Sequence, residues 1–103
     1  MIVVNTDFIS GKNIETIALV FGSTVQSKNM FKDFGAGLKN LVGGELGSYT
    51  KMMDEARGIA IEHMIKKAEQ MNADAVINLR FSTSAVMQGA AEVTAYGTAV
   101  KFV

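Results

Sequence analysis

The sequence predicts an α+β domain of two layers, one long helix lying on a sheet. Three observations carry this expectation. Residues 43–71 begin with a glycine pair and continue with apolar side chains at helical spacing. Residues 14–25 form a run that is apolar on both sides, and residues 75–84 alternate apolar and polar side chains as a strand does.

The chain has 103 residues. That is enough for one hydrophobic core and too few for two, so a single domain over 1–103 is expected. Residues 2–6 are β-branched and read as a short strand, and Gly11 marks the turn that follows. In residues 14–25, Ile17, Leu19 and Phe21 take one side while Ala18, Val20 and Gly22 take the other. Neither side is polar, which implies a central strand or one covered on both faces.

From Asn29 the period changes, with Met30, Phe34, Leu38 and Leu41 on one side of a short helix that Gly35 and Gly37 weaken. Gly43 and Gly44 supply positive-φ positions that stop it. The long helix follows over residues 48–71. Tyr49, Met53, Ala56, Ala60, Met64, Ala68 and Met71 form its stripe, Met52, Ile59 and His63 widen it, and Ser48 is its N-cap. At 1.5 Å per residue it is about 35 Å long, longer than a compact domain of this size needs. Asn72 ends it, because Asn tolerates the left-handed conformation.

In the next strand, Ala75, Ile77, Leu79 and Phe81 point one way and Asn78, Arg80 and Ser82 the other. Residues 87–91, centred on Gly89, connect to a last strand over 92–103. There Ala95, Gly97 and Ala99 make a small-residue face that a helix could approach closely, with Tyr96, Val100 and Phe102 opposite. A single helix covers one face of a sheet, so a second apolar face calls for another subunit.

Lys plus Arg and Asp plus Glu each number 10, so no net charge steers a polyanion, and neither nucleic acid nor a membrane surface is an expected partner. The absence of cysteine excludes disulfides, thiol nucleophiles and thiolate metal sites in this chain. The start MIVVNTDFISGKN lacks the pattern of a signal peptide, and no apolar run reaches the ~20 residues of a membrane span, so a cytoplasmic protein is expected. Hydrophobic residues make up 49 % of the chain, and zero net charge does little to oppose self-association.

Gly22, the run Asn29, Phe31 and Asp33, Ala36-Gly37, Val42-Gly43-Gly44, Tyr49, Ala56-Arg57, Ala68, Ala73-Asp74-Ala75-Val76 and Gly97-Thr98-Ala99-Val100 together resemble the YbjQ-like family. The resemblance spans the chain and keeps its order. It implies a two-layer α+β subunit with a mostly antiparallel sheet, similar in shape to the dodecin subunit, that assembles as a ring, a homopentamer. The family is bacterial and carries a heavy-metal-binding label. This chain has Asn78 and Arg80 where many members carry acidic residues, and Ala18 near where some carry cysteine.

Two residue sets on the long helix are candidates for chemistry. For a metal ion, His63 is the only histidine, with Glu62 and Glu55 as hard ligands or Met52, Met53, Met64 and Met71 as soft ones. The plain alternatives are a methionine core stripe and a solvated acidic face. For a small anionic ligand, Arg57 offers a guanidinium fork, with Tyr49 and Glu45 nearby in sequence. Its plain alternative is an ion pair with Glu45, Asp54 or Asp33. No motif supplies a nucleophile with a base, so catalysis is not expected.

Overall fold

The computed structural model describes residues 1–27 and 44–103, and the expected short helix over 29–41 lies outside them, as does Gly43. Strand β1 is Ile2–Val3 and β2 is Ile14–Ser27; helix α1 is Gly44–Gln70; β3 is Ala75–Met87 and β4 is Ala90–Phe102. The sheet runs β1-β3-β4-β2. Its β3–β4 and β4–β2 pairs are antiparallel and β1–β3 is parallel, so the sheet is mixed but mostly antiparallel, as expected.

The helix ends through hydrogen bonds between the backbones of its last turn and the turn beyond. Asn72 has φ 59°, its N–H donates to Glu69 O at 3.0 Å, and the Ala73 N–H donates to Ala68 O at 3.1 Å, which together form a Schellman motif. At the other end α1 starts at Gly44, so Ser48 is inside the helix rather than its N-cap, and Gly44 is helical rather than a positive-φ turn residue. Glycine disfavours a helix interior by only about 1 kcal/mol, which leaves room for the helix to extend past Gly47.

One core lies between α1 and the sheet. Ala56, Ala60, Met64 and Ala68 from the helix meet Val20, Val76, Val93, Ala95 and Ala99 from three strands. These side chains are small, so the layers sit close. The predicted face of Ala95, Gly97 and Ala99 does lie under the helix side of the sheet, but the closest backbone approach is at Gly22, where an added Cβ would overlap Met64 N and Ala60 O.

Two sequence expectations fail here, for identifiable reasons. Strand β2 is an edge strand, not a central one, and its far side is open: Leu19 is 64 % exposed, Phe21 48 % and Val25 52 %. In β3 the two-residue alternation is broken by a bulge in which Asn78, at φ 55°, and Leu79 together oppose Gly97. Ala75 and Ile77 therefore face away from the helix, while Leu79 and Phe81 are on its side.

The N-terminal segment covers part of the sheet's far face. The Val4 N–H donates to Val76 O at 3.0 Å, the Leu79 N–H to Val4 O at 3.0 Å and the Asn78 N–H to Thr6 O at 2.9 Å. Val4, Ile9, Ile14 and Phe102 then pack on Ala75, Ile77 and Val100. Beyond that cover Leu19, Phe21, Val25 and Tyr96 remain exposed. The domain is elongated, 55 × 24 × 17 Å with a radius of gyration of 16.7 Å, against about 13 Å for a compact chain of this length.

Candidate functional site

All six candidate residues sit on α1, and the helix spreads them out. Glu45 and Arg57 are twelve positions apart, about 18 Å along the axis, so they cannot pair within one helix. Arg57 instead donates through Nη2 to Asp54 Oδ1, one turn back, which is one of the ion pairs expected for it. Both side chains are well exposed, so the pair contributes at most about 0.5 kcal/mol. Tyr49 is exposed, two turns before Arg57 and about 12 Å from it along the axis. The set Arg57, Tyr49 and Glu45 does not converge within one subunit.

The metal set is equally dispersed. Glu55 and Glu62 are exposed and about 10 Å apart along the helix axis. Met52 and Met64 are buried and Met53 packs against the core, so these three thioethers belong to the interior rather than to His63, while Met71 is exposed just past the helix end. Among the described residues no three His, Asp or Glu side chains gather as ligands.

His63 has one defined partner. Its Nδ1 lies 2.8 Å from Ser23 O on β2. A carbonyl oxygen only accepts, so Nδ1 carries a proton, and in the neutral ring Nε2 is the nitrogen able to bind a metal. A histidine ligand commonly donates its other ring N–H to a backbone carbonyl in this way. Lys67, one turn further on, places Nζ 4.4 Å from the centre of the Phe21 ring. Among the described residues no set within one chain gathers enough ligands for a metal ion.

Sequence reasoning missed a groove of about 720 Å³ at the junction of β1 and β3. It is lined by Val3, Val4, Asn5, Thr6, Leu79, Arg80 and Phe81. Arg80 Nη1 donates to Asn5 O at 3.1 Å and to Leu79 O at 2.9 Å, which fixes the N-terminal segment beside the bulge. The groove exists because β1 stops at Val3 while β3 runs on to Met87. The one signal in the sequence is that the N-terminal apolar run is much shorter than residues 75–84.

Fold and site together define a class: a small helix-on-sheet α+β domain with no assembled constellation of chemical groups among its described residues. The chain belongs to the YbjQ family, whose model, described as "Putative heavy-metal-binding", matches residues 1–103. It is 68 % identical over 101 residues to a UPF0145 protein of Clostridium novyi, covering 98 % of each chain. It is 58 % identical over 103 residues to a UPF0145 protein of Alkaliphilus metalliredigens, covering 100 % of each. A UPF0145 protein of Methanosarcina acetivorans is 56 % identical over 102 residues, covering 98 % of this chain and 96 % of that one. A crystal structure of a protein with unknown function from the DUF74 family of Pediococcus pentosaceus has the same fold, with a TM-score of 0.63 at 17 % identity over 100 % of this chain and 98 % of that one. Among the described residues no helix is long and apolar enough to cross a membrane.

Proposed function

We propose that the chain is a non-catalytic cytoplasmic subunit of a homo-oligomeric ring, a pentamer by family resemblance, that binds a small ligand or ion where subunits meet. The observation that supports this is the unfinished surface of the single subunit. Leu19, Phe21, Val25 and Tyr96 are exposed on a sheet face whose other side is the core. The subunit's accessible surface is 6709 Å². A compact monomer of its mass exposes about 5,600 Å², and the difference of about 1,100 Å² exceeds the ~800 Å² per partner of a standard interface. Dispersed polar groups on one chain become a site only when a neighbour supplies the rest.

The test is the double substitution Leu19→Lys with Val25→Lys, which puts two charges on the open face and leaves the helix contacts alone. Sedimentation velocity should show a single subunit, while circular dichroism keeps the helix signal. An intact assembly in the double variant would contradict the use of this face.

A second reading, a metal-binding protein, is favoured by the family description and by the His63 ring, whose Nδ1 is anchored on Ser23 O. Its remaining ligands, Glu55 and Glu62 of a second copy, would have to cross a subunit boundary. Metal titration followed by mass analysis of the washed protein tests it. Unchanged stoichiometry in His63→Ala removes His63 from any such site.

A further inference from the structure

We infer that the outer edge of β3 over residues 80–87 is a strand-addition site for a second copy of this chain, an inference that rests on the assembly proposed above. The ladder shows which backbone groups point outward. Ser23 O accepts from His63, so it points away from β4. Ser23 faces Thr94, and Thr94 faces Ser82 across the sheet. Backbone groups alternate sides along an antiparallel ladder, so Thr94 and Ser82 bond to each other. Phe81, Thr83 and Ala85 then direct their N–H and C=O groups outward. The Leu79 N–H, two residues before Phe81, already points that way, toward Val4 O. Two independent contacts thus fix the same phase.

Beyond Leu79 nothing among the described residues takes these groups. All eight residues 80–87 are exposed, and the helix lies over β2 and β4 rather than over β3, which leaves the Phe81, Thr83 and Ala85 side chains bare on the helix side as well. An exposed edge is ordinarily guarded by charge, proline, a bulge or a covering side chain. The β2 edge is guarded: His63 occupies Ser23 O, Lys67 covers Phe21, and the register shifts between Thr16 and Ala18. The β3 edge is not. Residues 81–91 contain no charge and the chain contains no proline.

A second copy is the occupant these features select. At zero net charge two copies do not repel. Eight residues of strand span about 26 Å, and the excess surface of about 1,100 Å² is what a subunit contact of standard size removes. The groove bounded by Val3, Leu79 and Phe81 opens at the start of this edge and gives the added strand a seat where β1 ends.

The experiment is amide hydrogen exchange on the assembled wild-type protein, paired with Thr83→Pro. In the assembly the amides of Phe81, Thr83 and Ala85 should exchange within about tenfold of the inward amides of Arg80, Ser82 and Ser84. Proline at Thr83 removes an outward N–H, a position where an edge strand tolerates it. Thr83→Pro should retain its helix signal but sediment as a smaller species, whereas Thr83→Ala keeps the wild-type mass. An intact wild-type assembly in which the three outward amides exchange at least about 100-fold faster than the inward ones overturns the edge contact and leaves the assembly standing. So does a Thr83→Pro variant with wild-type mass. A wild-type monomer overturns both.

Discussion

At Gly22 the backbones of β2 and α1 touch: a Cβ there would overlap Met64 N and Ala60 O and lie 2.7 Å from His63 C. Neither the helix nor the strand can yield without shifting the whole layer, so Gly22→Ala is expected to destabilise by about 3 kcal/mol in urea unfolding. Gly58 is the opposite case. It lies on the exposed side of α1, where an added Cβ would meet nothing within 4 Å, so Gly58→Ala should stabilise by up to about 1 kcal/mol. Asp74 closes the helix exit onto β4, because its Oδ2 accepts from the Phe102 N–H at 2.8 Å while its own N–H donates to Val100 O at 2.8 Å. Asp74→Ala removes a charge-assisted bond from that turn, and a loss of about 1–2 kcal/mol is expected by the same measurement.

Among the elements, those whose signal is local can be read from the sequence. The period of three and four through Ala56, Ala60, Met64 and Ala68 is the helix stripe found in the core. Asn72 stops α1 by the left-handed turn expected of it, and Gly89, at φ 77°, makes the β3–β4 turn. What depends on neighbours cannot be read. An apolar run does not reveal whether it lies at the centre of a sheet or at its edge, so the pattern of β2 suits a central strand although β2 lies outside. A bulge changes the face of every residue beyond it, and Asn78 gives no warning of its φ before the opposing Gly97 is known. The six candidate site residues share an element but form no cluster, because positions seven or more apart on a helix, such as Glu55 and Glu62 or Tyr49 and Arg57, are about 10 Å or more apart along its axis.

For the whole molecule, the single chain leaves an apolar sheet face and a strand edge exposed. The helix-side core is built from alanine, valine and methionine, one sheet face is half covered by the N-terminal segment, and β3 projects beyond β1 with its edge open. A head-to-tail contact between unlike surfaces of identical chains closes a ring when the rotation allows it, and the proposed binding role requires that such a ring set polar groups of α1 against those of a neighbour. Assembly is therefore the claim on which the proposed binding role depends. Native mass spectrometry of the untagged protein at micromolar concentration tests it most directly. The expected spectrum holds one closed homo-oligomer, five times the 11.0 kDa subunit by family resemblance, with any retained ligand or ion seen as added mass. A spectrum containing only the 11.0 kDa monomer would contradict assembly and the binding role with it.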